Sequence, residues 1–352
     1  MRELVLVLPD LFLRGAAPTS SAGASLTSLR FAAPRLMRGG WRGTVARGVG
    51  RDDLTLIDEA SVIDAALRLD ELHDDDGDHG DHEDIIVDAW IATPVHLMAG
   101  LKTVHFPANG VLRLSEDEAS ELSATFATTF GAEGLELRPA GAAGFVLRGL
   151  EAVGALTVEP ARLIGESLET HLPSGAGSAE LRALASEIEM WLHGLPLNRR
   201  REVRGEPGIS SLWMWGGGQP PRDRLRPTRA ASRWSRIVTD DVWAHALGRL
   251  SSVPVSSLPK SIDEILGDIS VASDDIESDD DSLLVITPIS GVDAEYFDQA
   301  WVAPAARALR EGRLGRFTVA ANDRWTSVDS GDRYRVWRPK RMVFTAVADG
   351  GA

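Results

Sequence analysis

The chain alternates short, continuously apolar runs with longer stretches whose apolar residues recur every three to four positions. Glu3–Leu8 (ELVLVL) is apolar at nearly every position and stops at Pro9-Asp10. A run without polar alternation predicts a strand covered on both faces, as in a parallel sheet. Leu283–Pro288 and Arg316–Ala320 have the same character, the second running into Asn322-Asp323. Helical spacing appears at Leu26–Met37, Ile57–Leu69, Val242–Leu250 and Ala294–Glu311, and Pro160 opens a predicted helix to His171.

Between these lies a block of different texture. Ile85–His96, Val104–Phe106, Leu135–Leu137 and Gly144–Leu147 predict strands. Ser115 with Glu118 reads as a capping box opening a helix that runs to Phe130 and closes at Gly131. Strands alternating with helices at both ends of the chain, around this block, predict an α/β domain with an inserted α+β domain. The expected boundaries are 1–84 and 151–352 for the discontinuous α/β domain, with 85–150 as the insert. Acidic loops are expected at 70–84 and 270–282.

One further stretch, Ser186–Gly218, joins three textures. A helix carrying Ile188, Trp191 and Leu192 leads into Arg199, Arg200, Arg201 and Arg204, and then into a Leu212–Trp215 strand that ends at Gly216, Gly217 and Gly218. Guanidinium forks grip phosphate, and glycine lets a ligand approach the backbone. The stretch is therefore either an anion site or a surface turn with solvated arginines. Trp191, Trp213 and Trp215 are pocket walls or, more commonly for this residue type, core.

Composition adds exclusions. The 352 residues contain no cysteine, which rules out disulfides, thiolate catalysis and cysteine-ligated metals. The net charge of -15 is local: Asp70–Asp84 holds nine acids and Asp274–Asp281 six, with no Lys or Arg in either. His73, His79 and His82 in the first loop have no predicted scaffold and read as adventitious metal ligands. No apolar run reaches membrane-spanning length and no signal-peptide core is present, so a soluble, cytoplasmic protein without membrane partners is expected. The Arg222–Arg236 run, with six arginines and one aspartate, is a candidate polyanion contact, although nucleic acid is not the expected partner.

Aspartates follow three apolar strands: Asp10, Asp293 and Asp323. Carboxylates converging at strand ends assemble oxygen-rich divalent sites in α/β sheets, whereas singly they cap the next helix. Both readings stay open on the sequence.

The pattern PLNRRREVRGE followed by LWMWGGG resembles the cofactor-independent phosphoglycerate mutases of the archaeal type, and still more a bacterial offshoot known as RpfE-type regulatory proteins. Thr93-Pro94-Val95-His96-Leu97 and the Leu172–Gly175 turn support the likeness to the offshoot. The resemblance implies an alkaline-phosphatase-like α/β fold with a smaller inserted domain. It also implies two divalent metals, manganese or magnesium, held by aspartates and histidines, and a serine nucleophile. Asp10, Asp293 and Asp323 match the metal aspartates. The family's histidines are replaced by Tyr296 or Phe297, by Arg324 and, in the HPVN segment, by Leu195; Ser210 stands where an asparagine is usual. No Gly-Ser-Asp or comparable nucleophile motif occurs between Arg30 and Asp84. Phosphate-gripping residues, Asn198, Arg201, Arg204, Gly216 and Gly217, are better preserved than the transfer machinery. The expectation is a regulatory protein binding a small phosphorylated or acidic ligand, the alternative a metal-dependent phosphomutase or phosphatase.

Overall fold

A computed structural model describes residues 3–9, 29, 31–74, 88–100, 103–218, 225–229, 231–271, 282–287, 294–321 and 324–334. Its helices, in chain order, are α1 (Gly40–Gly48), α2 (Glu59–Asp74), α3 (Glu116–Phe130), α4 (Ser178–His193), α5 (Pro196–Val203), α6 (Val242–Leu250), α7 (Ile262–Val271), α8 (Ala294–Phe297) and α9 (Ala303–Arg310). The strands used below are β1 (Glu3–Leu8), β2 (Arg35–Leu36), β3 (Ala89–Val95), β4 (Met98–Ala99), β5 (Val104–His105), β6 (Glu136–Pro139), β7 (Phe145–Arg148), β8 (Ala155–Leu156), β9 (Ser174–Gly175), β10 (Ser211–Gly218), β11 (Arg236–Thr239), β12 (Val255–Ser256), β13 (Ser282–Ile286), β14 (Arg316–Ala321) and β15 (Arg324–Asp329). The chain divides into two compact units, Met1–Thr55 with Pro227–Ala352, and Leu56–Arg226.

The first unit is α/β. Its seven-stranded mixed sheet has the order β12-β11-β13-β1-β14-β15-β2 and is flanked by helices. Strands β12 to β14 run parallel, and β15 and β2 close the sheet antiparallel. The unbroken apolar runs are the central strands: every residue of β1 and β13 is buried. Glu3 enters this apolar register buried because Arg233 pairs with it at 2.7 Å and Thr318 donates to it at 2.9 Å. The predicted Leu26–Met37 helix is absent from its described residues. Arg35–Leu36 instead forms β2, paired with Arg324 and Trp325 of β15. The predicted Ala294–Glu311 helix is present but interrupted by a π turn at Asp298–Val302 before Pro304.

The second unit is built on an antiparallel four-stranded sheet of order β10-β3-β7-β6. Helix α2 packs on β10 and β3, α3 on β6, and α4 on β10. Trp90, Phe126 and Phe145 centre its core. The expected insert, 85–150, is thus only part of this unit. Strand β10 pairs with β3 along its length, from Ser211↔Val95 to Gly218↔Ala89, so residues far beyond 150 share one sheet with it. The predicted Pro160–His171 helix is two short 3-10 turns, Pro160–Leu163 and Leu168–Thr170. Between them Gly165 takes φ +83°, which an α-helix does not accommodate.

Candidate functional site

Helix α5 presents its arginines by geometry. Pro196 occupies the first turn, where its missing N–H costs nothing, and Arg200 and Arg204 recur at four-residue spacing toward α3. On α3, Glu118 and Glu121 recur at three-residue spacing. Arg200 pairs with Glu121, and Arg204 with Glu118. The Ser115–Glu118 capping box forms as read: Glu118 N–H donates to Ser115 Oγ at 3.2 Å, and Ser115 N–H donates to Glu118 Oε2 at 3.3 Å.

Arg201 turns inward. Its residue is 4% exposed, its Nε donates to the Pro207 carbonyl at 2.9 Å and its Nη1 to Glu118 Oε2 at 2.7 Å. Arg204 grips Glu206 with both prongs of its fork, Nε–Oε1 at 3.0 Å and Nη2–Oε2 at 2.8 Å. Hydrogen bonds donated to Glu206, and then to Glu118, hold the Arg204 guanidinium more firmly protonated than usual, and the bond from Arg204 holds the Glu206 carboxyl below its ordinary range. The bond to Glu121 likewise raises Arg200. Together these side chains line an open cleft of about 730 Å³, whose wall also includes Arg113. Its charged lining is balanced, four arginines against four carboxylates.

The other expected ligand residues lie elsewhere or are spent on the backbone. Asn198 donates through Nδ2 to the carbonyls of Leu192 and Ile209, both at 2.9 Å, and its Oδ1 accepts from Ile209 N–H at 2.7 Å. It ties the end of α4 to the approach of β10. Gly216 and Gly217 sit at the opposite end of β10 from the arginines, five or more residues beyond Ser211, roughly 16 Å along a strand. They are there for other reasons. A Cβ on Gly217 would lie 2.2 Å from the Trp90 ring, and Gly216 has φ +59° at the start of a bulge. The expected anion site of arginines beside glycines is therefore not assembled.

Trp213 and Trp215 are buried in the sheet, donating from Nε1 to the Val158 carbonyl at 2.8 Å and to Thr93 Oγ1 at 2.9 Å. Trp191 stacks edge-on against Phe126 and Phe130. His193 is exposed in the last turn of α4. His96 of the Pro-Val-His-Leu segment shares a 2.9 Å hydrogen bond through Nδ1 with the Gly208 carbonyl, and Leu97 N–H donates to Ser210 Oγ at 3.1 Å. The two segments that carry the family resemblance thus meet in space.

Asp10, Asp293 and Asp323 lie outside the described residues, as do most of the acidic stretches and part of the Arg222–Arg236 run. Among the described residues, no group of three or more His, Cys, Asp and Glu is positioned to hold a metal ion, and no helix is long and apolar enough to cross a membrane. Of the neighbouring positions, Phe297 is 5% exposed within the core that contains Trp301 and Val302. Tyr296 is exposed and donates to the Lys260 carbonyl at 3.1 Å. Leu195 is buried, and Arg324 is exposed at the start of β15.

The sequence shows the arginines as a cluster and Glu118 as a capping residue, but not the acceptor roles of Glu118, Glu121 and Glu206 or the place of Arg113. Glu206 had a local signal, an acid two residues after Arg204; Arg113 had none.

No family model matches the chain. Over 69 residues it is 36% identical to a probable 2,3-bisphosphoglycerate-independent phosphoglycerate mutase of Geobacter sulfurreducens, covering 20% of this chain and 17% of that protein. It is 33% identical over 99 residues to 2,3-bisphosphoglycerate-independent phosphoglycerate mutase 2 of Methanothermobacter thermautotrophicus, covering 28% and 25%. A third such mutase, from Methanosarcina barkeri, is 29% identical over 111 residues, covering 31% and 28%. The chain therefore matches less than a third of the length of these relatives. Among solved structures it is similar to the cofactor-independent phosphoglycerate mutase of Thermoplasma acidophilum, at TM-score 0.40 and 15% identity over 92% of this chain and 88% of that one. It is also similar to the PH0037 protein of Pyrococcus horikoshii, at TM-score 0.46 and 12% identity over 92% and 86%.

Proposed function

We propose that the chain is a phosphoglycerate-mutase-like cytoplasmic protein of the alkaline-phosphatase type, nearest the RpfE-type regulatory offshoot. In this reading it binds a small phosphorylated or acidic molecule without turning it over. The observation that carries the loss of turnover is that neither candidate for the metal-binding histidine of the resemblance is a ligand: Phe297 is an apolar ring packed in the core, and Tyr296 is an exposed phenol that donates to the Lys260 carbonyl. Leu195 stands where the HPVN segment has its histidine, and Arg324 puts a cation in place of the histidine of the Asp-His pair. A centre of two divalent ions needs neutral imidazole or carboxylate donors at such positions, and an arginine competes for the neighbouring aspartate instead. The side chains at these positions do not fit such a centre. Ligand binding is supported by the arginine-lined cleft.

The test is a coupled assay of 2-phosphoglycerate and 3-phosphoglycerate interconversion with saturating manganese or magnesium, alongside metal analysis and equilibrium binding of 3-phosphoglycerate. Binding without conversion, and without stoichiometric metal, is expected. Conversion above the protein-free rate overturns the reading in favour of a metal-dependent phosphomutase or phosphatase.

A further inference from the structure

The cleft between α3 and α5 holds a feature that a solvated arginine surface lacks. The Arg204 fork is already filled by a carboxylate in the two-pronged geometry that a guanidinium adopts with carboxylate or phosphate. That carboxylate belongs to Glu206, an exposed side chain on the turn after Gly205, which takes φ +73°. Its backbone is anchored separately, by the 2.9 Å hydrogen bond from Glu206 N–H to the Arg201 carbonyl. The side chain can thus leave the fork by rotation alone, without moving α5.

The arginine, in contrast, is held independently of Glu206, because its Nη2 also donates to Glu118. Glu118 accepts from both Arg201 and Arg204, and is fixed in turn by the capping box. Arg113 lines the same cleft and makes no ion pair or hydrogen bond among the described residues. With Glu206 in place the lining is electrically balanced; with Glu206 turned out it carries one net positive charge. An exposed ion pair is weak and screened by salt. An incoming dianion therefore competes with a monoanionic tether, and gains Arg113, to which no carboxylate is paired.

We propose that Glu206 is an internal surrogate ligand, occupying an anion site formed by Arg204 and Arg113 that takes the phosphate group of a small phosphomonoester. Occupation by Glu206 sets the threshold: only a ligand carrying two negative charges, at a concentration able to displace the tether, fills the cleft. This inference rests on the ligand-binding half of the function proposed above and locates its site.

The test measures binding of 3-phosphoglycerate and of inorganic phosphate by calorimetry at low salt, on the full chain. The variants are Glu206→Gln, Glu206→Ala, Arg113→Ala and the double variant Glu206→Ala/Arg113→Ala. Glu206 is exposed, so its variants are expected to keep the circular dichroism spectrum of the parent. Affinity is expected to rise in the order parent, Gln, Ala, with the last about tenfold tighter. Removing Arg113 from the Ala variant is expected to abolish that gain. Equal binding by the parent and both Glu206 variants, or a gain that survives loss of Arg113, overturns the inference while leaving ligand binding itself intact. No binding of either probe by any variant overturns both.

Discussion

Arg201 Nη1 and Glu118 Oε2 lie 2.7 Å apart, with side chains only 5% and 12% exposed, although 83 residues separate them in sequence. This pair fastens the short helix α5 to the first turn of α3. Breaking a buried pair costs more than the pair itself contributes, because one charge is left without its partner. Arg201→Ala is therefore expected to destabilise the protein by about 3–5 kcal/mol, read from denaturant unfolding. Arg201→Ala in a Glu118→Ala background should cost markedly less. Equal losses in the two backgrounds would show that the pair does not couple.

Asn198 uses both faces of its amide on backbone groups that have no other side-chain partner in the clasp. A carboxylate in its place cannot donate to the Leu192 and Ile209 carbonyls and repels both. Asn198→Asp is expected to cost about 2–4 kcal/mol of stability at neutral pH, with the loss smaller in acid, where the carboxyl regains a proton. A ligand-binding role alone would leave stability unmoved.

Gly217 faces the Trp90 ring so closely that any side chain displaces it. Gly217→Ala should cost about 1–3 kcal/mol and shift the near-ultraviolet circular dichroism of the buried tryptophans. Gly131, with open space around it, serves as the control, and Gly131→Ala should change neither signal.

Asp58 opens α2, its Oδ1 accepting from Ser61 N–H at 3.0 Å and Ser61 Oγ at 2.7 Å. Burial nevertheless pushes its carboxyl above the ordinary 3.8, outweighing those bonds. The folded state thus holds the proton more tightly than the unfolded chain. This contribution to stability is complete below 3.8 and is lost as pH rises through the higher folded value. Asp58→Asn keeps a capping oxygen and removes the titration. Its stability relative to the parent should rise with pH across the acid range and then level off, as measured by urea unfolding at a series of pH values. A flat difference would remove Asp58 as the cause.

Much of the α/β architecture was legible because β1, β13 and β14 are apolar at most positions without polar alternation, the pattern of a strand covered on both faces. The Ser115 capping box was legible for a local reason too, since its partners are three residues apart. What failed was non-local. The short strand Arg35–Leu36 is exposed and owes its conformation to β15, so its own residues suggested a helix. The boundary of the second unit follows from the pairing of β10 with β3, sealed by the Trp215–Thr93 hydrogen bond across 122 positions. Helix α1 begins among glycines and carries no strong propensity, and it was missed. In the cleft, the arginines were visible as a cluster, but their neutralisation by Glu118 and Glu121 depends on a helix about 80 residues upstream. The expected pairing of arginines with Gly216 and Gly217 failed because one strand length separates them.

The position of β1 has a consequence for synthesis. Its two neighbours are β13 and β14, beginning at Ser282 and Arg316, so during synthesis β1 finds no partner until more than 270 further residues have followed. The Leu56–Arg226 unit carries all four strands of its own sheet and can close in the meantime. A chain that terminates before Ser282 would release a finished second unit tethered to a bare, largely apolar ribbon, the kind of sticky edge that chaperones and aggregates both seek.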